Sequence, residues 1–242
     1  KNVKLDIEQI NKSLRKELTL NPYFGLSDNA YDRIIKRTQR MMSQDYTMLS
    51  KTIKCVGKQK KRKKRNKTLG IRHVFPLRLY TNVDGLQREY RKAYTFDRST
   101  ERISWFKIWD EMLRKAFKVL KDAQDSLNDT NKVLPCHNLR LKYLYHGVSE
   151  QLYVNEECMK TSNIYYGPLS CSTNSRIARS FAGPEGTILK LKFERSDDDF
   201  YPLYMNFITD FRNEDEVLLM DQKIKIEQVL SSKEYDEQLQ MN

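Results

Sequence analysis

Asn138-Leu139-Arg140-Leu141-Lys142-Tyr143-Leu144-Tyr145-His146-Gly147 is the stretch where the chain changes its period. Leu139, Leu141, Tyr143 and Tyr145 alternate with Arg140, Lys142 and Leu144, the two-residue repeat of a strand, and the run stops at His146-Gly147. Upstream the repeat is helical. An amphipathic segment from Asp6 to Leu18 closes at Asn21-Pro22, and Ser27-Asp28 caps a longer stripe of Tyr31, Ile34, Ile35, Thr38, Met41, Met42 and Leu49. The methionines on this face read as core filler. Val74 to Tyr80 (VFPLRLY) reads as a strand with an edge proline, followed by a helix from about Asp84 to Tyr94. A stronger helix is expected from a Ser104 cap, with Trp105, Ile108, Trp109, Met112, Ala116 and Leu120 along one side.

Downstream the elements shorten. Asn174 to Ala182 carries a helical stripe (Ile177, Ala178, Phe181) stopped by Gly183-Pro184. Thr187 to Phe193 alternates again, Leu189, Leu191 and Phe193 against Lys190 and Lys192. Asp197-Asp198-Asp199 marks a turn, and an aromatic-rich loop runs from Phe200 to Phe211. Two strands are expected after it, Glu216 to Met220 and Lys223 to Val229, parted by Asp221-Gln222. Helices first and short strands second predict an α+β fold with a mixed or antiparallel sheet. The expected divisions are a helical region over 1–57, a basic flexible loop over 58–70 and a main domain over 71–235.

The formal charge is +12 over 242 residues, and eight of the basic residues sit in Lys58 to Lys67 (KQKKRKKRNK) with no acid among them. Little excess charge is left for the rest, so the surface as a whole is not a nucleic-acid footprint. The run itself reads as a solvated loop, or equally as a nuclear-import signal or polyanion contact. No aromatic residue is interleaved in it, which argues against base stacking. Cys55, Cys136, Cys158 and Cys171 form no CxxC pair, and with three histidines no metal site is expected. Unpaired thiols, with no leader, suggest an intracellular location, cytoplasmic or nuclear, although a chain opening on Lys1 reads as a fragment. No apolar stretch approaches membrane-spanning length.

Neither GxGxxG nor GxxxxGK[ST] occurs. Three other segments draw attention. Leu144-Tyr145-His146-Gly147-Val148 is a strand end where a glycine lets a ligand approach the backbone, or simply terminates the strand. Tyr166-Gly167-Pro168-Leu169-Ser170-Cys171-Ser172-Thr173-Asn174 leads into the Ala178–Phe181 helix. Arg212-Asn213-Glu214-Asp215-Glu216-Val217-Leu218-Leu219-Met220 runs carboxylates into an apolar strand. On a strand Glu214 and Glu216 would share a face and Asp215 would face away. Taken alone, that acidic run is a solvated turn before a buried strand.

Together, in this order, the segments resemble the ADP-ribosyltransferase superfamily, specifically its S-x-S / E-x-E branch of arginine-specific mono-ADP-ribosyltransferases. Ser170-Cys171-Ser172 stands at the S-x-S place, Ala178 and Phe181 follow at the family's distance, and Glu214-Asp215-Glu216 matches E-x-E; the resemblance spans roughly 75–229. It implies a split, mostly antiparallel β-sandwich behind N-terminal helices, and NAD as substrate without a metal. It implies transfer of ADP-ribose to arginine on a protein acceptor, with release of nicotinamide. Glu216 would stabilise the oxocarbenium-like ribose cation. Glu214 would hold the incoming guanidinium bidentately. Ser170 would hydrogen-bond Glu216 and the ribose, and Gly147 would grip the nicotinamide carboxamide. Tyr145, His146 and Ser172 would line the NAD site, and Tyr204 and Phe207 would contact the acceptor. Each residue also has a plainer reading: a strand serine, a buried satisfied histidine, aromatics packed under a loop. The branch usually carries arginine where this chain has His146, which supplies no permanent charge against a pyrophosphate. An NAD glycohydrolase needs Glu216 without a positioned acceptor, and a silent NAD-binding module needs neither acid.

Overall fold

The computed structural model describes residues 12–40, 71–82, 85–97, 100–128, 143–149, 162–192, 202–205, 208–209 and 212–225. The basic run Lys58 to Lys67 and Phe207 lie outside them. Two compact units are formed, one by residues 1–138 with 207–210 and the other by 139–206 with 211–242. Residues 71–138 thus group with the N-terminal helices, where the sequence reading joined 71–235 as one domain.

Among the described residues the second unit carries five strands: β1 (Tyr143–Val148), β2 (Ser162–Ser172), β3 (Thr187–Lys192), β4 (Leu203–Tyr204) and β5 (Glu216–Lys225). They form one antiparallel sheet in the order β3-β1-β2-β5-β4. The alternation on β1 has the opposite phase to the expected one. Leu144 is fully buried and His146 nearly so, while Tyr143 and Tyr145 are half-buried. The tyrosines share their face with Lys190 of β3, which pairs with Tyr145 and whose ammonium lies 4.4 Å from the Tyr143 ring centroid. A tyrosine serves a partly wet face as well as a core, so the pattern alone could not fix the phase.

β1 pairs with β3 along its whole length but with β2 at one position, Tyr145 opposite Ser172. β2 and β5 are paired far more extensively, Ser162 opposite Lys225 through to Ser172 opposite Glu216. The expected break between two strands at Asp221-Gln222 is instead a bulge inside one continuous β5. The register shifts between Tyr165 and Pro168, Gly167 and Asp221 take φ 83° and 51°, and the Gly167 amide donates to Asp221 Oδ1 at 2.7 Å. An aspartate tolerates the left-handed conformation and can bond across the bulge, so a turn signal here marks a kink rather than a strand end.

Three short helical turns in the first unit sit among longer helices. The helices are α1 (residues 12–19), α2 (28–40), α3 (Ile71–Asn82), α4 (Leu86–Arg91), α5 (Thr100–Ser104) and α6 (Lys107–Asn128), with a π-helical turn at Lys92–Asp97 after α4. Val74 to Tyr80, read as a strand, lies within α3, and residues 73–80 are buried on every side. A helix without a wet face shows no 3.6-residue stripe, so its apolar run is indistinguishable from a buried strand. Buried Arg78 donates through Nη1 to the Ile208 carbonyl at 2.5 Å, which ties residues 208–209 to this unit.

Nor does Ser104 cap α6. It ends α5, and its hydroxyl donates to the Glu101 carbonyl at 2.6 Å. The first amides of α6 are capped from α1: Glu17 accepts from Ile108 and Trp109 at 2.7 and 2.8 Å. A carboxylate at a helix N-terminus is favoured by both the amides and the dipole. Burial outweighs them and raises the Glu17 carboxyl to about 7, with Glu111 and Asp110 adding to the rise. Trp109 is in the core, edge-on to Tyr90 at 5.0 Å, whereas Trp105 is only half-buried.

A seventh helix, α7 (Ser175–Ala182), belongs to the sheet unit. Asn174 caps it by accepting from the Arg176 amide at 2.9 Å, and Gly183 ends it at φ 69°. Its contact face is Ala178 and Ala182, both buried, while Phe181 of the expected stripe is 56% exposed. Small residues are needed because α7 rides against the backbone of β1: a Cβ on Gly147 would lie 2.0 Å from the Ala178 carbonyl oxygen. No helix among the described residues is long and apolar enough to cross a membrane.

Candidate active site

Glu216 opens β5 opposite Ser172, the last residue of β2. Ser170 lies two residues back on β2, on the same face as Ser172 and diagonal to Glu216, within reach of a glutamate side chain. Its hydroxyl donates to Glu216 Oε1 at 2.7 Å. Cys171 points the other way and is buried. Glu216 is also held through its main chain, since its carbonyl accepts from the Met205 amide at 3.0 Å. The carboxyl is 6% exposed. Burial raises it to about 7, Glu214 adds to the rise, and the Ser170 hydroxyl opposes both. A carboxyl perturbed by burial and one defined charged neighbour is a reactive-site candidate on physical grounds.

Glu214 reaches this neighbourhood by a different route from the expected one. It ends a 3₁₀ turn, Arg212–Glu214, and Asp215 follows at φ 46° before the strand begins. Strand alternation therefore does not align Glu214 with Glu216; a turn brings the first carboxyl near the second. Burial raises the half-buried Glu214 carboxyl. Asp215, expected to face away on a strand, precedes the strand in a left-handed conformation and is exposed. The turn is clipped to the end of β2. Ser172 Oγ donates to the Glu214 carbonyl at 2.7 Å and accepts from the Asn174 amide at 3.0 Å, and the Thr173 amide donates to the Asp215 carbonyl at 3.4 Å. The Ser172 hydroxyl is thus engaged with the main chain on both sides.

On the neighbouring strand, His146 Nδ1 lies 2.6 Å from the Ser170 carbonyl oxygen. A carbonyl only accepts, so this bond requires the proton on Nδ1. His146 is 6% exposed. Gly147 does not end the strand, because β1 continues to Val148. In the direction a Cβ would take from its Cα, the space is filled by the Ala178 main chain of α7. Tyr145 lies on the opposite face of β1 from His146. Tyr204, expected on a loop, is a buried member of β4 opposite Val217.

No family model and no curated protein sequence matches the chain. Among solved structures it is similar to the eukaryotic mono-ADP-ribosyltransferase ART2.2, with 13% identity, a TM-score of 0.48, and coverage of 83% of this chain and 79% of that one. One enzyme recurs. A variant of ART2.2 in complex with NADH gives 12% identity and a TM-score of 0.44, covering 81% and 85%. A second variant in complex with NAD gives 13% and 0.43 over the same shares.

Ser170, Glu214 and Glu216, chosen from sequence, are brought together, with His146 and Ser172 beside them. Met205 was missed, since nothing in its side chain signals the backbone bond it makes. Asn174 was placed in the helix, although an asparagine directly before Ser175 is a legible cap. No group of three or more metal-ligating side chains is clustered among the described residues.

Proposed function

We propose that the chain is an NAD-dependent mono-ADP-ribosyltransferase that transfers ADP-ribose to arginine side chains of proteins. The observation that carries this is the buried Glu216 carboxyl, raised to about 7 and bonded by Ser170 Oγ at 2.7 Å. The bond to be broken joins the ribose C1′ to the nicotinamide nitrogen. Its electron pair leaves with nicotinamide, and positive charge grows on the ribose. A carboxylate in a poorly solvated site stabilises that charge more than it stabilises the ground state. Ser170 keeps the carboxylate aimed. An arginine nitrogen then bonds to C1′, and its proton passes to Glu214, whose raised carboxyl suits a proton acceptor. The acceptor in this reading is a protein presenting an exposed arginine, inside the cell, and Lys58 to Lys67 offers a polyanion contact.

One observation favours a second reading. Glu214 sits on a turn outside the sheet, so the acceptor carboxylate is less fixed than Glu216. Water as acceptor gives an NAD glycohydrolase. Labelled NAD incubated with an arginine acceptor tests both. Wild type should label the acceptor and E216Q should not, while E214Q should lose labelling and keep NAD cleavage. Equal labelling by wild type and E216Q refutes the proposal; wild-type cleavage without labelling establishes the hydrolase.

A further inference from the structure

His146 was expected to touch NAD, yet its defined contact is with the protein. Nδ1 meets the main-chain carbonyl of Ser170, the residue whose hydroxyl meets Glu216. We infer that His146 is a positioning residue: it holds the Ser170 main chain so that Ser170 Oγ keeps its aim at Glu216. The inference rests on the proposed reading for its catalytic consequence, but not for the geometry.

The need for such a tether follows from the sheet. β1 and β2 pair at Tyr145 opposite Ser172 and at no further position among the described residues. Continuing the antiparallel register would set His146 opposite Cys171 and Gly147 opposite Ser170. Neither pair belongs to the β1–β2 register. β5 supports Ser170 from its other side, opposite Leu218. On the β1 side the contact to the Ser170 main chain comes from the His146 ring, whose Nδ1 lies 2.6 Å from the Ser170 carbonyl oxygen.

The base of the tether is firm. β3 pairs with β1 on both sides of His146, Tyr145 with Lys190 and Gly147 with Ile188. At the next residue α7 presses on β1 so closely that no Cβ fits on Gly147. His146 therefore projects from backbone fixed on two sides, and its bond to Ser170 transmits that fixity to the hydroxyl at Glu216. A neutral Nδ1 donor is sufficient for a carbonyl, and no charge is required.

The test uses the two amides that copy each ring nitrogen. Asparagine places its NH₂ near the position of Nδ1, and glutamine near that of Nε2. The first measurement is the titration of the Glu216 carboxyl by carbon-13 NMR without NAD, with E216Q identifying the signal. S170A should raise the midpoint, H146Q should raise it similarly, and H146N should bring it back towards wild type. The second is NAD turnover. H146Q should lower kcat at pH 7 roughly five- to fiftyfold, as S170A does, with KM for NAD little changed. H146N should rescue most of that loss. An unmoved Glu216 midpoint in folded H146Q overturns the inference, as does rescue by glutamine and not by asparagine. If H146Q fails to fold, H146N decides, since a midpoint matching S170A overturns the inference and one near wild type supports it. A wild-type protein that leaves NAD intact refutes the proposed function, and the titrations still judge His146.

Discussion

Replacing Ser170 by alanine removes one hydroxyl and leaves Glu216 buried, with Glu214 as its charged neighbour. The hydroxyl is the influence that lowers the Glu216 carboxyl against burial and against Glu214. A hydrogen bond to a charged group contributes roughly 1.5–3 kcal/mol, and each pH unit corresponds to about 1.4 kcal/mol. The midpoint should therefore rise by about one to two pH units from about 7. At pH 7 the ionised fraction falls from about half to between about 1% and 10%. The profile of kcat/KM against pH reads the free enzyme, so its acid limb should move to higher pH by the same one to two units. At pH 7 S170A should be some five- to fiftyfold slower, and part of the loss should be recovered near pH 9. An S170A acid limb coincident with that of wild type would refute this account of the Ser170–Glu216 pair. A uniform loss at every pH would show instead that Ser170 acts by orientation alone.

Glu17 ties stability to pH in the helical unit. Its folded carboxyl is raised from an ordinary 4.5 to about 7, so between those values the folded state binds more protons than the unfolded one. Stability should fall as pH rises through that window, by up to about 3 kcal/mol, and level off above it. Glu216 contributes with the same sign. E17Q should flatten the Glu17 part of the slope in urea unfolding at pH 4.5, 6 and 7.5, and an unchanged slope would count against the buried cap. G147A should destabilise the sheet unit by about 3 kcal/mol, because the new Cβ meets the Ala178 carbonyl at 2.0 Å and the helix must move. A loss below about 1 kcal/mol in urea unfolding would show that α7 is not seated on β1. F181S should change stability by no more than about 0.5 kcal/mol, since the ring is 56% exposed, whereas a core phenylalanine would cost several times as much.

Where a side chain must choose between water and core, its type was informative, and the sequence placed β1, β3 and α7 to within a few residues. It failed where both faces of an element are buried or where an atom from elsewhere does the work. Residues 73–80 carry no stripe because α3 has no wet side, so a helix was read as a strand. The start of α6 was assigned to Ser104 because a cap is sought locally, yet the carboxylate that caps it belongs to Glu17, 91 residues away in sequence from Ile108. Phe181 was read into a core stripe because periodicity counts apolar residues. The real constraint was the smallness of Ala178 and Ala182 against Gly147. At the site, the residue types and their order were legible, but the backbone was not. Glu214 and Glu216 are two apart in sequence, and only the positive φ of Asp215 shows that the first is on a turn.

That turn bears on how the two acids divide their work. Glu216 is fixed three times: by its pairing with Ser172, by Ser170 at its carboxyl, and by Met205 at its carbonyl. Glu214 is fixed through its carbonyl, by Ser172, and its half-buried side chain leaves a 3₁₀ turn. A group that stabilises a cation on a bound sugar must be in place before the bond breaks, because reorganisation at that moment would raise the barrier. A group that receives an arginine from another protein gains from being able to adjust, because the acceptor brings its own geometry. On the proposed reading, the sheet would hold the acid for bond cleavage and the turn the acid for the acceptor. Bond cleavage and acceptor choice are then separable by mutation at positions two residues apart, a separation that strand alternation would not have provided.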